Sequence, residues 1–493
     1  MRILNEKQVT SHGSAAGRKD ALQILESGLR ATDPYENARS LFRLNGSMLE
    51  IGNIRLEAEG DPKSGVETLD LNDYENIYVV GAGKGVQRAA KAIEDALGDR
   101  LTGGEVISKH GDEHIVDRVN TSYGAHPIPD EGCVEGAKRI LELSKKVTAR
   151  DLVFTIIVNG GSALLTLPYD GISIEDVRKL TYMLQLGKGV HTSELNAIRS
   201  HIDQLKAGRI TRAFSPAKMY HLIGCDANRG TPISRSGKYK GMSNYEYFLR
   251  TNGWLHNLPD GTTFKDAQRV IEMYDLKSDC PKPILDAIYE ADPEKETVKI
   301  EEYHNTDSRF FGILPEDDCI GAVSAKAREL GYEPYVLTRS LITEAKSAAQ
   351  VIASIALGID GRSEPVAPPA ALLTTGEMLV TVGGETGVGG RNQEFCLYAA
   401  MRIAGNERIV IGSVDSDGTD GPGGLEAEGA PSCLGGAVVD GHTAAKAEEM
   451  GIDIPGYLKR HSSSEPLWKL DSGLSMVHGV SANDITVTLI RER

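Results

Sequence analysis

Four glycine-rich turns of this 493-residue chain carry side chains that could contact a phosphate group. The first turn, GAGKG at 81–85, follows a short apolar run and precedes a helical pattern. Gly81, Gly83 and Lys84 therefore stand where unpaired backbone N–H groups and the helix dipole favour an anion. The turn matches neither the GxxxxGK[ST] nor the GxGxxG nucleotide pattern. A phosphate site and a plain structural corner both stay open here.

A second turn follows the most apolar predicted strand of the chain, residues 152–158. It consists of Asn159 followed by Gly160, Gly161 and Ser162. Small residues directly after a buried strand suit a second anion cradle, with the backbone N–H groups and the serine hydroxyl as donors. An ordinary strand-to-loop turn is the alternative.

The third turn, GETGVGGRNQE at 384–394, brings glycines and an arginine to the start of a predicted helix. Enzymes that transfer phosphoryl groups use arginines to neutralise the charge that develops in the transition state. We therefore take Arg391 as a candidate catalytic cation, with Gly389, Gly390 and Asn392 as candidate contacts to the nucleotide.

The fourth turn, DSDGTDG at 415–421, gathers three carboxylates after a predicted strand. Mg²⁺ in kinases is held by one or two carboxylates together with water and substrate phosphates. Asp417 and Asp420 are therefore candidate metal ligands. The spacing does not fit a calcium-binding EF-hand loop, because Asp420 occupies the position that needs a glycine. An acidic turn that caps a helix is the alternative.

The elements around these turns indicate an α/β fold. Short apolar runs alternate with amphipathic helical patterns through most of the chain, which predicts a mainly parallel sheet with helices on both faces. The stretch 358–371 is rich in proline and glycine and lacks periodicity. We therefore predict an N-terminal domain over 1–357 and a smaller α/β domain over 358–493.

Composition restricts the partners and the compartment. The net charge of −16 disfavours nucleic acid and anionic membranes as partners. The six cysteines form no CxxC pair, which predicts free thiols in a reducing compartment. We find no signal peptide and no apolar run near the ~20 residues that span a bilayer. A cytoplasmic protein is the expectation.

Eight motifs, in chain order, resemble the glycerate 2-kinase family of the two-domain type with a C-terminal MOFRL domain. Single glycine loops are weakly specific, whereas an ordered set of this length is far more specific. The motifs are GAGK (81–84), HPIPDEG (126–132), GGSALLTLP (160–168), SELNAIRSHIDQLKAGRI (193–210), DGTTFKDAQRVIEMY (260–274), GGRNQE (389–394), DGTDGP (417–422) and GGAVVDGHT (435–443).

The resemblance implies ATP- and Mg²⁺-dependent phosphorylation of D-glycerate at its 2-hydroxyl. It also implies a Rossmann-like domain, a smaller α/β domain and an active site in the cleft between them. By motif position, Lys84 and Arg391 would be catalytic cations, and Asp226 falls at the first aspartate of the family's S-D-V-x-G-D segment.

Candidate substrate ligands lie in the motif at 193–210. A hydroxy acid needs a cation for its carboxylate, for which Arg199 and Lys206 are candidates. Asn196 is a candidate for orienting the hydroxyls, and Glu194 completes the predicted set. An ordinary exposed helix with charged residues is the alternative. The expected partner is a small-molecule acid, and a homodimer is considered for the assembly.

Several loops depart from the family pattern. In the segment Cys225–Gly230 the second acid is missing, and the family's G-P-T-G-T-N-V-N-D turn keeps Gly479, Asn483 and Asp484. These differences suggest a divergent member acting on a related short sugar acid. Two other hypotheses stay open, namely an NAD(P)H-dependent hydroxypyruvate reductase and a non-catalytic protein that binds a nucleotide or a sugar acid.

Overall fold

The computed structural model describes residues 2–188, 190, 192–228, 239–382, 387–477 and 484–492. The chain forms two compact units. We call Pro34–Pro315 the central unit, and Met1–Asp33 together with Glu316–Arg493 the terminal unit. Gly230 and the part of the C-terminal turn that contains Gly479 and Asn483 lie outside the described residues.

The strands, in chain order, are β1 (Phe42–Asn45), β2 (Met48–Ile51), β3 (Glu67–Asp70), β4 (Asn76–Ala82), β5 (Gly103–Lys109), β6 (Val119–Gly124), β7 (Asp151–Ile157), β8 (Lys218–Ile223), β9 (Ser308–Gly312), β10 (Glu333–Leu341), β11 (Ala370–Gly376), β12 (Ile409–Asp415), β13 (Gly436–Asp440) and β14 (Asp484–Ile490).

The α-helices are α1 (Glu6–Val9), α2 (Ala15–Ala31), α3 (Pro34–Arg39), α4 (Val86–Leu97), α5 (Glu131–Ser144), α6 (Gly161–Leu164), α7 (Ile174–Thr181), α8 (Thr192–His201), α9 (Arg209–Phe214), α10 (Asn244–Thr251), α11 (Phe264–Met273), α12 (Lys282–Glu290), α13 (Ile300–Tyr303), α14 (Glu316–Glu329), α15 (Ala345–Arg362), α16 (Arg391–Arg402), α17 (Thr443–Glu449), α18 (Ile454–Lys459) and α19 (Ser464–Lys469).

The central unit is built on a six-stranded parallel sheet with the order β6-β5-β4-β7-β8-β9. Every residue of β7 is buried, as expected for a strand covered on both faces. From β4 the chain adds β5 and β6 toward one side of the sheet. It then returns to the middle with β7 and adds β8 and β9 toward the other side. This is the doubly wound order of Rossmann-like folds, and it reverses between β4 and β7. A small antiparallel sheet, β1-β2-β3, completes the unit.

The terminal unit contains a mixed sheet with the order β10-β11-β14-β12-β13. The last strand, β14, lies between β11 and β12 and is antiparallel to both. The N-terminal helix α2 belongs to this unit, because its apolar stripe packs in one core with strand residues. That stripe includes Leu22 and Leu25, which share the core with Val410 and Val487.

The compact units do not coincide with the predicted domains 1–357 and 358–493, which stay a prediction. The proline- and glycine-rich stretch 358–371 connects α15 to β11 inside the terminal unit. Both elements contribute to the same hydrophobic core, and only residues 363–369 lie between them. The compact units instead divide after Asp33 and after Pro315.

Two further predictions concern the cysteine thiols and membrane-spanning segments. All six cysteines are free and buried, as predicted for thiols that form no disulfide. Among the described residues, none of the helices combines the length and the apolar character that crossing a membrane requires.

Candidate active site

Three predicted site segments lie at the same edge of the parallel sheet. Lys84 follows β4, the turn 159–162 follows β7, and Asp226 follows β8. These strands are neighbours, so their carboxyl ends meet at one edge. Ligands of open α/β sheets bind outside the carboxyl ends of the strands, where the strand order reverses. The reversal point of this sheet lies between Lys84 and the turn 159–162.

The first two turns contact each other. The backbone N–H of Lys84 donates to the carbonyl of Asn159 at 2.7 Å. Gly160 has a left-handed φ of +83°, and a Cβ at this position would lie 3.3 Å from Cγ of Lys84 and 3.0 Å from Cδ2 of His126. The glycine thus supplies both the backbone conformation and the space for Lys84. His126 was not predicted as a site residue, although it begins the motif at 126–132.

The packing of β4 on β7 explains part of the first motif. A Cβ at Gly81 would lie 2.1 Å from the carbonyl oxygen of Ile156, and one at Gly83 would lie 2.6 Å from that of Val158. These glycines are therefore needed for strand packing whether or not a ligand binds. Their contact with a nucleotide, like that of Gly161, stays a prediction.

Ser162 joins the turn to a buried polar network. Its Oγ lies 3.1 Å from Nδ2 of Asn196 on α8 and 2.9 Å from Nε2 of His256. Asn196 and His256 are each 1% exposed. Sequence reasoning missed His256, since no local motif marks it and its contact with Ser162 spans 94 positions.

Arg199 is a buried cation without a carboxylate partner among the described residues. Its Nη2 donates to Oγ1 of Thr181 at 2.9 Å, and its Nε has no hydrogen-bond partner in the part of the chain that the structure describes. Burial lowers the pKa of Arg199 to about 10, which leaves the guanidinium charged at neutral pH. On the same face of α8, one turn away, the Oδ1 atom of Asn196 also lacks a donor within the described part of the chain.

The other predicted substrate ligands are already engaged. Nζ of Lys206 lies 2.7 Å from Oδ2 of Asp203 and 2.9 Å from Oγ1 of Thr166, so its charge is compensated inside the protein. Glu194 accepts from the hydroxyl of Tyr274 at 2.7 Å and points away from the face that carries Asn196 and Arg199. Of the four predicted substrate ligands, Asn196 and Arg199 each keep a buried atom that has no hydrogen-bond partner among the described residues. Lys206 and Glu194 are already bonded to protein groups.

Asp226 lies in a turn just beyond β8. Its Oδ1 accepts from the backbone N–H of Asn228 at 2.7 Å, which is an Asx-turn. The segment 229–238, which includes the position of the family's second acid, lies outside the described residues.

In the terminal unit, Arg391 is surrounded by carboxylates. Its Nε lies 2.9 Å from both oxygens of Asp484, and its Nη2 lies 2.8 Å from Oδ2 of Asp415. Asp415 ends β12 directly opposite Asp484, the first residue of β14. Oε1 of Glu377 is 3.5 Å from Nη1. The adjacent antiparallel strands therefore bring the acids of this cluster together, and the cluster carries net negative charge.

The charges of this cluster affect one another. Burial would lower the pKa of Arg391, but Asp415 and Asp484 raise it above its ordinary value. Burial raises the pKa of Asp484 to about 6, against the opposing effect of Arg391. Arg391 thus already serves to compensate two buried acids. Its predicted role toward a phosphate stays a prediction.

Asp420 has a structural role at the start of α16, and the metal site predicted at Asp417 and Asp420 stays a prediction. Its Oδ1 accepts from the backbone and the side-chain amide of Asn392, both at 3.2 Å, and its Oδ2 accepts from the backbone N–H of Gln393 at 2.9 Å. The carboxylate thus caps the N-terminus of α16. Oδ1 of Asp417 accepts from the N–H and the hydroxyl of Thr419. No cluster of three metal-ligating side chains occurs among the described residues.

The remaining residues of the GGRNQE motif complete this capping network. A Cβ at Gly390 would lie 2.1 Å from the carbonyl oxygen of Asp420, and one at Gly389 would lie 2.4 Å from Oγ of Ser463. Nδ2 of Asn392 also donates to Asp484 at 2.8 Å. The GGRNQE motif therefore holds the start of α16 in place.

Replacing Asp420 with alanine is expected to lower the free energy of unfolding by about 2–4 kcal/mol, because three buried donors would lose a charged acceptor. Urea unfolding followed by circular dichroism measures this loss. Asp453→Ala is the matched control, since this exposed aspartate caps α18 through Gly456 and should cost about 0.5–1 kcal/mol. Equal losses in the two variants would contradict the structural role of Asp420.

Comparison with known proteins gives the family. Residues 20–233 match the model of a domain of unknown function, DUF4147, and residues 370–486 match the MOFRL family. The glycerate 2-kinase of Pyrococcus horikoshii is 31% identical to this chain over 482 residues, covering 97% of this chain and 98% of that protein. The chain belongs to the glycerate kinase family.

Other members of the glycerate kinase family show the same extent of similarity. The D-glycerate 2-kinase of Thermotoga maritima is 32% identical over 447 residues, covering 90% of this chain and 97% of that protein. A crystal structure of glycerate kinase from Thermotoga maritima is similar with a TM-score of 0.72 and 29% identity, covering 96% of this chain and 99% of that chain. The family resemblance and the α/β fold predicted from the sequence are confirmed.

The two matches to glycerate kinase family domains contain most of the predicted site residues. The DUF4147 match spans Lys84, Ser162, Arg199 and Asp226, and the MOFRL match spans the cluster around Arg391. His256 falls between the two matched stretches.

Proposed function

We propose that this protein is an ATP-dependent kinase that phosphorylates the 2-hydroxyl of D-glycerate or of a closely related short hydroxy acid. The observation that carries the proposal is Arg199, a buried guanidinium with no carboxylate partner among the described residues. An uncompensated buried charge is costly, and a bound carboxylate would offset that cost. This is the position at which the acid end of the substrate is proposed to bind.

The unpaired Oδ1 of Asn196 supports a substrate that also carries a hydroxyl group. A buried amide oxygen without a donor is unfavourable, and a substrate hydroxyl would supply that donor. The amide of Asn196 contacts Ser162, which belongs to the same turn as Gly160 beside Lys84. A molecule with a carboxylate and adjacent hydroxyls satisfies both buried groups.

Lys84 is the proposed phosphate-binding cation. It stands at the start of α4, where helix dipole and backbone N–H groups favour a phosphate, and it lies against Gly160. In the reaction, the 2-hydroxyl oxygen forms a bond to the γ-phosphorus of ATP, the bond from this phosphorus to the bridging oxygen of ADP breaks, and the hydroxyl loses its proton. Asp226, which follows β8 at the same edge of the sheet, is the proposed acceptor of that proton.

Mg²⁺ is proposed as the companion of the ATP phosphates, where it would offset their negative charge. We do not include Asp420 among its ligands, because both of its carboxylate oxygens cap α16. No step of the proposed mechanism depends on a metal ligand from this chain.

The reductase hypothesis gains no support from the first turn. The position that a dinucleotide fingerprint requires to be glycine is Val86, whose side chain is fully buried at the start of α4. NADH fluorescence on titration with the protein is the direct check on this alternative.

The proposal is tested by measuring ADP release with ATP, Mg²⁺ and a panel of acids with three to six carbons. We expect turnover with D-glycerate or another short 2-hydroxy acid, and none with glycerol, which lacks the carboxylate that Arg199 would bind. Equal rates with glycerol and D-glycerate would contradict the proposed role of the acid group.

A further inference from the structure

The tautomer of His256 follows from a contact on the far side of its ring. Nδ1 of His256 lies 3.3 Å from the backbone nitrogen of Ala207, and an amide N–H can only donate. Nδ1 is therefore the acceptor, and the hydrogen of the neutral ring resides on Nε2. That N–H points at Oγ of Ser162 at 2.9 Å, so His256 donates to the serine.

The surroundings keep this ring neutral. Burial, with additional effects from Lys206, Arg199 and Arg209, lowers the pKa of His256 well below its ordinary value. A second protonated nitrogen would also lose the hydrogen bond from Ala207. His256 is therefore a fixed donor toward Ser162 rather than a base that takes its proton.

Ser162 receives a second hydrogen bond from Nδ2 of Asn196 at 3.1 Å. A hydroxyl has two acceptor lone pairs and one hydrogen, so two incoming bonds leave the hydrogen free to be donated. None of the described residues supplies an acceptor for it. The half-buried hydroxyl lies in the turn beside Lys84 and near Arg199, in a region of positive charge.

We propose that His256 is a positioning residue that, together with Asn196, fixes the Ser162 hydroxyl as a donor to an oxyanion of the bound ligands. The oxyanion is either the carboxylate of the acid substrate or the phosphoryl group that is transferred. This inference rests on the proposed kinase function. Without the imidazole, the serine hydroxyl can rotate, and its donor direction is lost.

The test is a double-mutant cycle with Ser162→Ala, His256→Leu and the double variant. Each single change is expected to lower kcat/KM by about 10- to 100-fold, as for the loss of one donor to an oxyanion. Because His256 acts through Ser162, the double variant should be no worse than Ser162→Ala within about threefold. The inference is overturned if kcat/KM of the double variant falls by the product of the two single-variant factors. It is also overturned if His256→Leu has wild-type kinetics.

Conservative rescue separates positioning from packing. His256→Gln keeps a side-chain N–H donor and should recover most of the activity that His256→Leu loses. Thr211→Val is the matched control, because Thr211 is buried and donates to the carbonyl of Asn257 next to His256, but does not touch Ser162. Thr211→Val should keep wild-type kinetics. If His256→Gln is no more active than His256→Leu, the inference is contradicted.

The kinetic parameters identify the oxyanion. A higher KM for the acid indicates the substrate carboxylate, and a lower kcat at saturating substrates indicates the transferred phosphoryl group. Calorimetric binding of D-glycerate to the same variants separates this inference from the proposed function. If the wild type binds D-glycerate without turnover, the kinase proposal fails, and equal weakening by Ser162→Ala and His256→Leu still supports the inference. If the wild type binds neither D-glycerate nor ATP, the kinase proposal and the inference about His256 are both overturned.

Discussion

Replacing Arg199 with methionine is expected to lower kcat/KM for D-glycerate by roughly 100-fold or more, because a buried, desolvated pair with the substrate carboxylate would be lost. Initial rates over a range of D-glycerate concentrations measure this effect. The loss should appear mainly in KM for the acid if the guanidinium binds the carboxylate equally in the ground state and in the transition state. KM for ATP should change little.

The same substitution is expected to leave the free energy of unfolding unchanged or to raise it by about 1–3 kcal/mol, since it removes a buried charge for which the described residues supply no carboxylate. Lys206→Met is the matched control. It should destabilise by about 3–5 kcal/mol, because it leaves the buried carboxylate of Asp203 unpaired. A strongly destabilised Arg199→Met variant with full activity would show that Arg199 is structural.

Replacing Lys84 with methionine is expected to lower kcat by about 100-fold, by analogy with the removal of one preorganised group that stabilises transition-state charge. Rates at saturating ATP and acid measure it, and unfolding curves should confirm that the variant is folded. Lys91→Met is the control, since Lys91 lies on α4, the helix that follows Lys84, in a surface ion pair with Asp95. Its rate should stay within twofold of wild type. A Lys84→Met variant with a wild-type kcat rules out the proposed role.

The local pattern of the chain is enough to predict much of the central unit. Alternation of apolar runs with amphipathic helices predicts the parallel sheet, and glycine turns after β4 and β7 mark its ligand-binding edge. The domain boundary could not be predicted in this way. Residues 1–33 join the terminal unit because the apolar stripe of α2 is completed by residues of β11, β12, β13 and β14, which come much later in the chain. Such a contact leaves no trace in the local sequence.

The sequence likewise predicts some residues of the candidate site but not all of their contacts. Lys84, Ser162, Asn196 and Arg199 follow from residue type and motif position. The Asp203–Lys206 pair is local, but the sequence does not reveal that the described residues offer Arg199 no such acid, because this depends on how the surrounding elements pack. The capping of α16 by Asp420, 28 positions away from Asn392, is equally non-local. For this reason an acidic turn that suits Mg²⁺ by composition serves as a helix cap.

The most direct test of the account is to incubate the purified protein with ATP, Mg²⁺ and D-glycerate and to identify the products by ³¹P and ¹H NMR. We expect equimolar ADP and a phosphate monoester on the 2-oxygen of glycerate from the wild type, formed about 100-fold more slowly by Arg199→Met when D-glycerate is well below KM. ATP that stays intact with D-glycerate and with every other short hydroxy acid would contradict it, as would oxidation of NADH by hydroxypyruvate.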